Sequence, residues 1–549
     1  MNTLVKAALL AAAATGMTAA QAHQDSKDKG DQAAAADNAP ALPPGPNALF
    51  EPHSEQSSGT VSVEGKSIAY DAYAGTLVVH PEGWDDTAWR AKSAKDLEDK
   101  KGDQAEASMF YVAYFKKGAP SADRPITFLF NGGPGSSTVW LHMGAFGPRR
   151  IITSNDSHTP AAPYQLVNND YSLLDASDLV FIDAPGTGFS RVAGKDKEKA
   201  FYGVDQDAHA FSEFVRAFLT KYDRWNSPKY LFGESYGTPR SAVLVNDLET
   251  GNDVDVNGVV LLSQILNFDL SIDTPSFNPG SDEAYIVGLP TFAATAWYHN
   301  RLPGTRPADL EAFLAQVEQF ANTDYAAALQ KGSELDPATK TRIAQQLSQY
   351  IGIPAAYIEK SNLRIDGGQF SQQLQIGSDL TTGRLDSRFS GPSMDPLEKE
   401  ADYDPQSAAI SSAYVSAFND YARRDLHYGL HQTYKPEIDV FKDWDFSHKQ
   451  PGMPFAIRGA TNVMPDLAQA MKYNPDLKVM LNGGYFDLAT PFYEGWYEMH
   501  HLPIPDSLQN NIEYHYYQSG HMVYANTESL KQLHDNVAAF IRKTDNLGG

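Results

Sequence analysis

A serine hydroxyl becomes a useful nucleophile when an imidazole takes its proton and a carboxylate holds that imidazole in the right tautomer. The stretch Gly233-Glu234-Ser235-Tyr236-Gly237 spells G-x-S-x-G directly after the apolar run Tyr230-Leu231-Phe232. In a strand-turn-helix setting this turn pushes the Ser235 hydroxyl out at the end of a sheet, and a Cβ at either glycine would clash with crowded backbone. A lone G-x-S-x-G arises often by chance, so its partners decide. The late chain offers them at two strand ends, Asn482-Gly-Gly-Tyr-Phe-Asp487 and Ser519-Gly520-His521. Of fifteen histidines, His521 is selected by its place after a late strand. Asp487 is chosen over Asp476 and Asp506 because it ends a glycine-rich loop in the expected chain order. Earlier in the chain, Asn131-Gly-Gly-Pro-Gly135 follows another strand signal. Glycines let backbone amides approach a developing oxyanion, and the donors are assigned to the amides of Gly133 and Tyr236.

These residues need a frame. Strand signals fall at 109–115, 126–130, 178–183, 256–262, 477–481 and 512–517, with a hairpin over 60–80. Helical spacing runs over 204–218, 242–248 and 532–541. Strands alternating with helices and ending in glycine-rich loops predict an α/β protein with a mostly parallel central sheet flanked by helices. Functional loops then sit at the carboxyl ends of the strands. From 269 to 455 the pattern turns mainly helical (310–320, 337–350 and 407–423 most clearly), which predicts an inserted cap between a first core part, 48–268, and a second, 456–549. The order Ser235, Asp487, His521 is that of the α/β-hydrolase fold. Trp140, Trp297, Trp496, Tyr493 and Tyr497 are expected in core or cap packing, some of them lining a pocket.

The whole chain sets limits. With 549 residues, 42% apolar and 11% aromatic, it buries a large core. A formal charge of −24 disfavours a nucleic-acid partner, since phosphates are repelled. The loop at Asn131 lacks the G-K-[ST] ending and the G-x-G-x-x-G spacing of nucleotide sites. No H-E-x-x-H, paired-histidine or EF-hand series is present, so neither a cofactor nor a metal is expected. The absence of cysteine excludes thiol nucleophiles, thiolate metal sites and disulfides. Residues 1–22 read as a secretory signal peptide, with Lys6, a short apolar run and the Ala20-Gln21-Ala22 cleavage site. The expected location is therefore periplasmic or secreted, without stable membrane insertion. A disordered linker is expected over 23–47 and a charged helical or loop segment over 85–104.

Four separated segments together resemble the serine carboxypeptidase family: Asn131-Gly-Gly-Pro-Gly-Ser-Ser137, Asp183-Ala-Pro-Gly-Thr-Gly-Phe-Ser190, Gly233-Glu-Ser-Tyr-Gly237 and Gly520-His-Met-Val523. The resemblance implies an α/β-hydrolase core with a cap inserted before the acid strand, and hydrolysis of carboxy-terminal residues of peptides through an acyl-enzyme. It further implies that Asn131 and Glu234 hold the substrate's terminal carboxylate, with Gly132 among the substrate-binding residues. A carboxyl beside a carboxylate is sensible only if one is protonated. The sequence departs from the family pattern at Leu129 (commonly Trp), Ala145 (a second carboxylate), Ser136 (Cys) and Tyr524 (Pro), and in an Asp183 loop one residue shorter. Arg149 and Arg150 offer an ionic alternative for the terminal carboxylate. Leu129 and Ala145 keep open a serine esterase, acyltransferase or peptidase that needs no free carboxy terminus; a non-catalytic binding protein on the same fold is a further alternative.

Overall fold

A computed structural model describes residues 49–84 and 105–547. The expected signal peptide, linker and charged segment 85–104 lie outside the described residues.

The chain opens with a hairpin, β1 (Ser54–Val63) and β2 (Lys66–Val79). Its turn residues Glu64 and Gly65 both have positive φ, 49° and 77°, which suits the twist of a tight hairpin. There follow β3 (Glu106–Lys116), β4 (Ile126–Phe130), β5 (Asp178–Ile182), β6 (Arg191–Ala193), β7 (Lys229–Glu234), β8 (Gly258–Leu262), β9 (Lys478–Gly484) and β10 (Ile512–Tyr517). They form one sheet ordered β1-β2-β3-β5-β4-β7-β8-β9-β10, with the short β6 on β3. From β5 to β10 neighbouring strands on this path pair in parallel; β1 to β3 add antiparallel pairs at one side.

The central strands are buried on both faces, which is why they read as continuous apolar runs rather than alternating ones. Their side chains still alternate. Phe128, Phe130, Leu231, Val259 and Leu261 enter one hydrophobic layer with helices α1 (Val204–Lys221) and α2 (Gly237–Asn252). Leu129, Phe232, Val260 and Leu262 enter the opposite layer. Each fully buried Phe or Leu contributes roughly 1.5–3 kcal/mol.

Between β8 and β9 lie α3 (Glu283–Tyr298), α4 (Leu310–Phe320), α5 (Pro337–Ile351) and α6 (Pro405–Arg424). The first three share a separate apolar cluster with Tyr485, Phe486 and Phe492. After them come α7 (Met464–Tyr473), α8 (Phe492–His500) and α9 (Thr527–Thr544). A mostly parallel sheet between two helical layers, with this long helical segment before the last two strands, is the α/β-hydrolase fold. Among the described residues no helix is long and apolar enough to cross a membrane.

Candidate active site

Ser235 sits between β7 and α2 with φ +59°, a left-handed conformation that is strained for a side-chain-bearing residue. The strain is held from both sides. Its amide donates to the Leu262 carbonyl at 3.0 Å, and its carbonyl accepts from the Thr238 amide at 2.8 Å and hydroxyl at 2.7 Å. A Cβ on Gly233 would fall on the Gly237 carbonyl and the Ser241 hydroxyl, so that position accepts nothing larger.

The histidine and acid arrive from the loops after the last two strands, β10 at the sheet edge and β9 beside it. His521 Nδ1 lies 2.8 Å from Asp487 Oδ2 and 3.2 Å from the Thr490 hydroxyl. Asp487 is fully buried and saturated: Oδ1 accepts from the amides of Ala489 (2.9 Å) and Thr490 (3.0 Å), and Oδ2 accepts from the Thr490 hydroxyl (2.7 Å) as well as the imidazole. Burial alone would lower the His521 pKa. The Asp487 charge and hydrogen bond more than offset it, leaving the imidazole above its ordinary value. The rest of the His521 backbone is pinned as well. Ser263, another left-handed residue (φ +53°), donates its hydroxyl to the His521 carbonyl at 2.7 Å, and the His521 amide donates to Leu385 of the helical segment at 2.6 Å. Next to it the Gly520 amide donates to Asp386 at 3.2 Å.

Ser235, His521, Asn131, Gly132, Gly133, Glu234 and Tyr236 all line one cavity of about 220 Å³, with Asp487 behind the imidazole. Among the described residues neither the Gly133 nor the Tyr236 amide donates a hydrogen bond, so both remain free for an anion. Gly132 explains how they come together: a Cβ there would fall on the Tyr236 amide nitrogen. With the Gly133 and Tyr236 amides as oxyanion donors, as expected from the sequence, Gly132→Ala should lower kcat about 10²–10³-fold, the cost of one such donor, with an unchanged circular dichroism spectrum.

Asn131 donates Nδ2 to Glu234 Oε2 at 2.8 Å and accepts the Leu141 amide on Oδ1 at 3.1 Å. Burial pushes the Glu234 carboxyl up to about 7; the nearby His521 and hydrogen bonds from Tyr524 and Asn131 act the other way. Its proton is therefore exchanged within the physiological range.

Several supporting residues carry no motif. Arg240 donates to the Asn131 carbonyl at 2.7 Å, is paired with Asp207 (Nε to Oδ2 2.6 Å), and stacks over Phe211 at 4.3 Å, all of it buried. Thr490, three residues after the acid, is the kind of short-range capping partner that Asp attracts. Arg384 lines the cavity, paired with Asp273, and its amide and that of Leu385 donate to Asp404 at the start of α6. By contrast Arg149 and Arg150 do not line the cavity. They lie on a short strand where Arg150 packs over Tyr171, so the ionic alternative fails at those positions. The Asp183 loop also stops short of it. Its carboxyl holds the amides of Thr138 (2.8 Å) and Phe189 (3.3 Å), bracing the Asn131 loop from behind. Trp140 lines the cavity, its ring tilted at 51° to that of Tyr414 with centroids 5.6 Å apart. Among the described residues no group of side chains could hold a metal ion.

The family model for serine carboxypeptidases matches residues 99–534. A carboxypeptidase Y homolog of Arthroderma benhamiae is 29% identical over 174 residues, 31% of this chain and 32% of that protein. Serine carboxypeptidase-like 33 of Arabidopsis thaliana is 29% identical over 150 residues, 26% of this chain and 29% of that protein. These matches span about a third of the length of the curated relatives. The solved structure of a proline iminopeptidase from Mycobacterium smegmatis superposes with a TM-score of 0.33 at 13% identity, covering 89% of this chain and 99% of that one.

Proposed function

The chain belongs to the serine carboxypeptidase family, and on that footing we propose that it hydrolyses carboxy-terminal residues from peptides through an acyl-enzyme. Ser235 Oγ attacks the last peptide carbonyl while His521 Nε2 takes its proton. Asp487 keeps the Nδ1–H toward itself and stabilises the imidazolium. The amides of Gly133 and Tyr236 receive the oxyanion. His521 then protonates the leaving amine. Water, deprotonated by the same imidazole, hydrolyses the ester and restores the Ser235 hydroxyl.

The observation that carries the specificity is the buried Asn131–Glu234 pair at the wall beside Ser235, 2.8 Å between Nδ2 and Oε2. Asn131 and a protonated Glu234 can both donate to a terminal carboxylate, with Gly132 giving the peptide room. The sign follows from the Glu234 value of about 7: below it the carboxyl is a donor, and above it the ionised group repels the substrate's own carboxylate. For a blocked dipeptide with a free acid, KM is expected to rise about tenfold as pH goes from about 5 to about 8, because the competent fraction falls that far. The same peptide as a carboxy-terminal amide has no carboxylate to repel and should show no such rise. Steady-state kinetics from about pH 4 to about pH 8 check this.

Leu129 and Ala145 favour a second reading, a serine esterase, acyltransferase or peptidase that requires no free carboxy terminus. Equal turnover of acid and amide at every pH would select it. Family members are typically secreted or vacuolar, which supports export to the periplasm or beyond. With peptide as the substrate and a formal charge of −24, no nucleic-acid partner is proposed.

A further inference from the structure

Glu234 is surrounded from several parts of the chain. Asn131, after β4, donates to Oε2. His521 and Asp487 act on it through their charges. Tyr414, on α6, is buried within reach of the same carboxyl. The remaining neighbour is Tyr524, in the turn that follows His521, 3% exposed. Its hydroxyl donates to Glu234 Oε2 at 2.8 Å and to Oε1 at 3.1 Å. The rings of Tyr414 and Tyr524 close over Gly144, where a Cβ would collide with both. The segment that carries Gly144, Leu141–Phe146, brings no carboxylate toward Glu234.

A phenol differs from a second acid in one decisive respect. Burial, and then the Glu234 charge, hold Tyr524 well above its ordinary pKa, so it stays protonated while Glu234 titrates. It has one proton to give and gives it to Glu234. It therefore steadies the ionised carboxyl and fixes its rotamer at every pH, without a proton shared between two acids.

We propose that Tyr524 is the positioning residue of Glu234: its hydroxyl fixes the carboxyl from behind the cavity wall, which Glu234 lines and Tyr524 does not, in place of a second acid, and sets the pH at which the free carboxy terminus is no longer held. This rests on the carboxypeptidase reading above.

The test is the ratio of kcat/KM for a blocked dipeptide acid to that for its amide, followed against pH. His521 titrates for both substrates and cancels, as does any general loss of activity. In the wild type the ratio falls with a midpoint near 7, the value of Glu234. Tyr524→Phe keeps the ring and removes the donor, so the midpoint moves up by about one pH unit. Placing 3-fluorotyrosine at 524 keeps the shape and strengthens the donor, so the midpoint moves down; this variant also serves if the phenylalanine protein fails to fold. In a Glu234→Gln background the ratio is flat, and Tyr524→Phe leaves it flat. A midpoint unmoved by both replacements of Tyr524, with the wild-type fall intact, overturns the assignment of Tyr524 alone. A ratio flat in the wild type overturns the reading of Glu234 and this inference with it.

Discussion

Under the proposed function, replacing Ser235 by alanine is expected to lower release of carboxy-terminal residues about 10⁶-fold without unfolding the protein. The fold survives because Ser235 is tied in through its backbone, to Leu262 and Thr238, and those bonds are untouched. The left-handed φ of 59° costs serine and alanine alike, on the order of 1–2 kcal/mol, so the thermal midpoint should hardly move. What disappears is the atom that the proposed mechanism acylates. The free amides of Gly133 and Tyr236 and the peptide-binding groups leave a residue of catalysis over water, about 10³–10⁴-fold in comparable sites. Assay of blocked dipeptides, paired with a serine-directed phosphonate that labels the wild type at Ser235 and spares the variant, checks both halves. Unchanged activity would sink the mechanism.

Asp487→Asn is expected to lower kcat about 10⁴-fold, and the geometry says why. Oδ1 of Asp487 accepts two amide protons, from Ala489 and Thr490. An asparagine must therefore place its carbonyl there, because an NH2 would face two donors. Its NH2 then occupies the place of Oδ2 and points at His521 Nδ1 and the Thr490 hydroxyl, which now meet a donor instead of an acceptor. The imidazole answers by carrying its proton on Nε2, the nitrogen that must be bare to accept from Ser235. The loss should appear in kcat, with little change in KM. An unchanged thermal midpoint and circular dichroism spectrum beside the lowered kcat separate tautomer from misfolding. Wild-type kcat in this variant would remove Asp487 from the mechanism.

Much of this arrangement was legible in the sequence, because the parallel core imposes two-faced burial and so writes each inner strand as an apolar run. The run at 126–130 coincides with β4 residue for residue, and the run at 178–183 overruns β5 by a single residue. The glycine-rich loops were legible for a related reason: backbone that approaches backbone excludes a Cβ, as Gly132 and Gly233 do. Less could be read where packing rather than pattern decides. Helix α3 is buried almost all round and contains Pro290, so it offers neither an amphipathic stripe nor an uninterrupted run. Arg240 and Asp207 are charges in an apolar layer, joined across two helices by a pairing that no spacing along the chain encodes. The Asp183 loop carries a strong motif yet serves as a brace, since a glycine-rich turn signals close approach without saying to what. Arg384 and Leu385 belong to a stretch with no periodicity, and their importance comes from what the fold brings beside them.

The bond from the His521 amide to Leu385, and that from Gly520 to Asp386, have a mechanical corollary. The roof of the cavity and the seat of the base are one piece of masonry, further mortared by Asp404 to the start of α6. A roof built this way cannot be lifted to admit a bulky peptide without unseating the imidazole. On the proposed function, a wider choice of substrates is then expected from side-chain replacements along the cavity lining rather than from movement of this wall.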